Sequence, residues 1–115
     1  MNDTPDSVRT ALAGLRALGG DGLMKQMAAV FIEHSAGRIG AMQTAIDSGD
    51  LQNAVIAAHT LKGSARQLGL ATMADACLAV ELAGKEGDAA AAKLRAAAVH
   101  EAYTAAAEWL RAETA

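Results

Sequence analysis

The sequence predicts an all-α fold: an antiparallel four-helix bundle with an additional short N-terminal helix. Three observations predict it. Apolar residues make up 52% of the 115-residue chain and aromatic residues only 3%. The interior must therefore be built from Ala, Leu, Val, Ile and Met, which suit closely spaced helices better than a sheet. Apolar positions recur at three- and four-residue steps. Glycines and helix-capping residues divide these runs, and the one proline, Pro5, interrupts nothing after it.

Residues 7–18 read as a short helix, broken by Gly19-Gly20-Asp21-Gly22. Leu23, Met27, Val30, Phe31, Ala41, Met42, Ala45 and Ile46 then mark one apolar side of a long second helix that ends at Ser48-Gly49. Asp50 can accept from the free amides that open a third helix, whose apolar positions are Leu51, Ala54, Ala58, Leu61, Ala65 and Leu68. Gly69 is a natural stop. A fourth helix is expected over 71–83 with Met73, Cys77 and Val80 inward, and Gly84-Lys85-Glu86-Gly87 as the turn after it. Asp88 caps the last helix, with Ala91, Leu94, Ala98, Ala102, Ala105 and Trp109 as its expected buried side. Four long helices with short turns imply antiparallel neighbours, and the first short helix is expected to cover one end of the bundle.

The length suits one compact domain. A net charge of −3 with both signs interspersed leaves no basic footprint for a nucleic-acid backbone, so the expected partner is a protein. One cysteine, Cys77, cannot form an internal disulfide. The polar segment after Met1 lacks the basic start and apolar run of a signal peptide. Both features point to the cytosol. Charged residues or glycine interrupt every apolar run before it reaches the length of a membrane span.

On the third helix, His59, Lys62, Gly63 and Arg66 share a side about 120° from the centre of the apolar stripe. His59 and Gly63 should therefore reach the surface. An exposed imidazole with an ordinary pKa of about 6.5 is largely neutral in the cytosol and offers a lone pair as a nucleophile. Attack on an acyl phosphate or on ATP would give a phosphoimidazole, whose charge a cation one turn away, Lys62, would favour. Gly63 lies one turn on, where glycine in a helix interior costs about 1 kcal/mol relative to alanine. The missing side chain leaves space beside the ring for a phosphoryl group and the surface that delivers it. Taken singly, His59 and Lys62 could each be solvated surface residues; the combination on one stripe beside a clean apolar face is what points to chemistry. His34 and His100 lie on other helices without partners at metal-ligand spacing and read as surface or boundary residues. Cys77 and the methionines read as core.

The run Ala58-His59-Thr60-Leu61-Lys62-Gly63-Ser64-Ala65, with Leu68-Gly69 after it, resembles the histidine-containing phosphotransfer (HPt) domain family. Phe31, Ser48-Gly49-Asp50, Cys77 and the Val80-Glu81 pair extend the resemblance over most of the chain, and residues before Asp21 match loosely. The resemblance divides the chain into an N-terminal segment, 1–20, and the phosphotransfer bundle, 21–115. It implies that His59 is the phosphorylated residue, that Lys62 and Gly63 assist, and that Ser64 lies near the site. It places a polar side chain, here Glu81, on the ring nitrogen that is not phosphorylated, and Lys85 where some members carry another cation. A carboxylate at Glu81 would fix the tautomer and sharpen the other nitrogen as nucleophile; otherwise Glu81 is a solvated helix charge.

Members of the family relay phosphoryl groups and have no kinase activity of their own, so no cofactor is expected in this chain; the partner receiver domain supplies the aspartyl phosphate and the Mg2+. The implied partners are response-regulator receiver domains, with a hybrid histidine kinase as a further one, and the expected state is a monomer. Val55, Gln52, Arg66 and Gln67 are candidate docking contacts around His59. Two rivals differ in class. A metal-containing bundle using Glu33, His34, His59 and His100 would need a Glu-x-x-His step on paired helices, which the sequence lacks. A helical adaptor or inhibitor that carries no phosphate would not need the His59, Lys62 and Gly63 set.

Overall fold

The computed structural model describes residues 3–115 and contains four helices: α1 (Pro5–Asp47), α2 (Leu51–Gln67), α3 (Ala71–Lys85) and α4 (Ala89–Thr114). No strand occurs among the described residues. Each helix packs on two others, in the cyclic order α1, α2, α3, α4. The three turns close alike. After α1, Gly49 takes φ 79°, a left-handed conformation that lets the Asp50 amide donate back to the Ala45 carbonyl at 2.8 Å. The same bond recurs from Leu70 to Ala65 and from Asp88 to Ala83. Asp50 and Asp88 then cap the next helices by accepting from Asn53 and Ala91. Turns this short force consecutive helices to run antiparallel.

α1 contains both of the first two helical segments read from the sequence. A straight helix of 43 residues would extend about 64 Å, longer than the 43 Å long axis of the molecule. The glycine break expected at 19–22 resolves this as a kink: Gly19 leaves helical geometry, and Gly20 takes φ 78°. The segment before the kink starts two residues earlier than expected. Pro5 opens it, and Thr4 and Ser7 exchange capping hydrogen bonds. It covers one end of the bundle, with Val8 and Leu12 buried. The Asp3 carboxylate accepts from the amides of Thr72 and Met73 at 2.8 and 3.1 Å. This caps α3 from outside, where its own N-cap residue, Leu70, makes no side-chain bond.

The core is slim, as composition requires: Met24, Ala28, Phe31, Ile39 and Met42 meet Ala54, Ala58, Leu61, Ala65, Met73, Cys77, Val80, Ala96, Val99 and Leu110. Two expected stripes are corrected. On α4 the buried face is Ala92, Ala96, Val99, Ala106, Ala107 and Leu110, one residue out from the expected register. Leu94 is 68% exposed, Ala98 is exposed, and Ala91, Ala102, Ala105 and Trp109 are half-buried. In an alanine-rich helix every face is weakly apolar, so periodicity alone does not select one. In α1 after the kink, Met24 and Ala28 are buried, Leu23 and Met27 are half-buried, and Val30 and Ala41 are exposed. Ser35 takes a core position the apolar count passed over; its hydroxyl is buried with no hydrogen-bond partner. Gly84 and Lys85, expected in a turn, complete α3.

Candidate functional site

α2 carries His59 on its outward ridge, with a side chain 69% exposed. α3 runs alongside and presents Glu81, a carboxylate only 5% exposed, at the seam between the two helices. His59 Nδ1 lies 3.3 Å from Glu81 Oε1. Lys62 Nζ lies 2.8 Å from the same oxygen, and Lys85 Nζ lies 3.3 Å from Oε2. Glu81 is thus the hub, not a solvated charge. Burial alone would push its pKa up, but hydrogen bonds from Lys62, Lys85 and His59, with the charge of Lys62, hold it down at about 2.

Lys62 departs from the expected surface stripe. It sits on the α3 side of His59 and is buried, its aliphatic stem packed in the bundle and its ammonium committed to Glu81. The exposed cation is Lys85. With the two lysines charged, Glu81 ionised and the ring neutral, the cluster carries one net positive charge. Gly63 is exposed, and a Cβ added there would meet nothing within 4 Å, so the space beside His59 is open as expected.

The other candidate residues divide among three places. Gln52 and Arg66, each seven residues from His59, are exposed on its ridge about 10 Å away along the axis. Ser64 is turned toward α1, its hydroxyl donating to the Thr60 carbonyl at 3.2 Å, and with Gln67 it lines a groove against Val30, Phe31, His34 and Arg38. Val55 is half-buried against Gly84, packed into the seam more than offered to a partner. Beside His59 and Glu81 the sequence reading missed two exposed apolar side chains, Ile56 at 57% and Leu82 at 50%. Ile56 lies one turn before His59 and could have been found by treating apolar residues off the core stripe as a signal. Cys77, one turn before Glu81, is buried, and burial together with the Glu81 charge pushes its thiol up to about 12. Among the described residues no group of three His, Cys, Asp or Glu side chains could hold a metal ion, so Glu33, His34, His59 and His100 do not converge.

With Nδ1–H donating to Glu81, the ring keeps the Nε2 lone pair free on its exposed side. The arrangement suits a nucleophile: an exposed ring with its inner nitrogen on a buried carboxylate and an exposed cation nearby. The sequence model of the Hpt domain family matches residues 26–109. The chain belongs to the Hpt domain family. Its fold agrees: the crystal structure of histidine-containing phosphotransfer protein B from Pseudomonas aeruginosa superposes with a TM-score of 0.86 and 21% sequence identity, covering 91% of this chain and 90% of that one. No curated protein sequence matches this Hpt chain. In the Hpt bundle described here no helix is long and apolar enough to cross a membrane, among the described residues.

Proposed function

We propose that this Hpt domain relays a phosphoryl group between receiver domains through Nε2 of His59, as a cytoplasmic monomer. Nε2 attacks the phosphorus of a receiver's aspartyl phosphate; the N–P bond forms as the acyl P–O bond breaks, and the aspartate leaves as a carboxylate. Nδ1 keeps its proton throughout. The positive charge that develops on the ring is met by Glu81, which stays ionised because Lys62 and Lys85 hold it so. Transfer to a second receiver reverses these steps. Lys85, exposed and on the longer contact, is free to turn from Glu81 to the arriving phosphoryl oxygens, while Lys62 keeps the carboxylate in place.

Both Glu81 oxygens are engaged by Lys62, Lys85 and His59, so this carboxylate offers nothing to a divalent cation. The Mg2+ of the reaction is left to the receiver's own carboxylates. Ile56, Gly63 and Leu82 give the receiver small and apolar surface to press on, with Gln52, Arg66, Ser64 and Gln67 as polar contacts. The observation that carries the reading is an exposed histidine whose inner nitrogen rests on a buried, ionised carboxylate.

The test is incubation with phosphorylated receiver domains, comparing wild type with His59→Gln. Acid-labile label that requires His59, on a variant with unchanged helicity and melting temperature, is the expected result. Absence of label from every receiver, with the fold intact, would replace the relay by an adaptor that binds without carrying phosphate.

A further inference from the structure

We infer that Gly84 and Val55 are positioning residues: their contact sets the α2–α3 separation that puts Glu81 on His59. The consequence for transfer rate rests on the relay reading above. Val55 lies one turn before His59 on α2 and Gly84 one turn after Glu81 on α3, so in antiparallel helices the two contacts are neighbours along one seam. A Cβ built on Gly84 would lie 2.5 Å from Val55 Cγ2 and 3.5 Å from the Leu51 carbonyl oxygen. The first distance is about 1 Å inside the separation at which two carbons attract. Valine in a helix is largely confined to one χ1 rotamer, so its methyl does not swing aside freely.

Other helical glycines set this one apart. At Gly14, Gly37, Gly40 and Gly63 an added Cβ meets nothing, and at Gly19 it meets Leu23 of the same helix. Gly84 is where a Cβ would strike the side chain of another helix at less than 3 Å. Backbone thus approaches side chain at the seam, one turn from the site, at a position where alanine has the higher intrinsic helix propensity.

The His59–Glu81 contact is sensitive to that approach. At 3.3 Å it sits at the long edge of hydrogen bonding, and a few tenths of an ångström more would end it. Lys62, on a flexible stem at 2.8 Å, can follow the carboxylate as α3 moves. A wider seam therefore detaches the histidine first and leaves the lysine pair intact.

The test compares wild type, Gly84→Ala, Val55→Ala and the double variant in the full chain. It reads the His59 tautomer from imidazole nitrogen-15 shifts near pH 9, where an ordinary histidine is neutral, and the transfer rate from a phosphorylated receiver. Gly84→Ala is expected to stay helical, lose the Nδ1–H preference and transfer about tenfold more slowly, the scale of a small misplacement of a positioned group. Adding Val55→Ala is expected to restore both readouts to those of Val55→Ala alone. A folded Gly84→Ala with wild-type tautomer and rate overturns the inference, as does a folded double variant no better than Gly84→Ala. Should Gly84→Ala not fold, the double variant decides: a folded protein with the Val55→Ala tautomer supports the seam, and one that is unfolded or shifted to Nε2–H overturns it. If no receiver labels even the wild type, the relay reading falls, while the tautomer comparison still decides the seam.

Discussion

At the scale of single residues, the site separates tasks that one-letter spacing merges. Lys62 and Lys85 are both cations near His59, yet one is buried on Glu81 and the other is exposed. Gly63 and Gly84 are both glycines inside helices near the site, yet one faces open space and the other faces Val55. Because a Cβ at Gly63 meets nothing, Gly63→Ala should stabilise the domain by about 0.5–1 kcal/mol through helix propensity. Gly63→Gln should fold as well but slow transfer by filling the space the phosphoryl group and receiver need. Thermal melts and transfer kinetics on the two variants check this, and an unchanged rate in Gly63→Gln would remove the steric role of the glycine. The motif on α2 was legible in the sequence because it is local: His59, Lys62 and Gly63 share one helix. The burial of Lys62 was not, since it depends on the carboxylate of another helix.

At the scale of elements, α1 and α3 depend on contacts outside themselves. α3 lacks a side-chain cap of its own and takes one from Asp3, which also ties the N-terminal segment to the bundle. Asp3→Ala should cost about 1 kcal/mol, the usual worth of an N-cap, and should speed hydrogen exchange at the Thr72 and Met73 amides. Unchanged protection at both amides would show that the cap contributes nothing in solution. Element boundaries were readable from the sequence wherever glycine and aspartate punctuate, at Ser48–Asp50, Leu68–Leu70 and the Gly19-Gly20 kink. Faces were readable where large and small residues alternate, as on α2. They failed on α4, where the one-residue slip rotates the stripe by about 100°, because alanine on all sides gives the pattern little contrast.

Across the whole molecule, the buried cluster couples the site to stability. Glu81 falls from an ordinary 4.5 to about 2 in the folded state, so its contribution is complete above about pH 4.5 and is lost as pH falls from there through about 2. Wild type should lose melting temperature across that interval faster than Glu81→Gln, with the two curves converging toward pH 2. Parallel curves would show that Glu81 is not ionised against its partners in the fold. Other carboxylates titrate in both proteins, so the difference isolates Glu81.

By itself the sequence determined the class of fold, the glycine and aspartate reversals between the bundle helices, and the local run of His59, Lys62 and Gly63 on α2 that carries the family resemblance. These are written in local signals: periodicity over a few turns, caps, and glycines at chain reversals. Tertiary structure alone decided which face of α4 is buried, that Lys62 serves Glu81, that Asp3 caps α3, and that Gly84 lets α3 approach. Each of these is a contact between residues far apart in the chain, and its geometry depends on how closely two helices pack. No spacing along one helix encodes that distance.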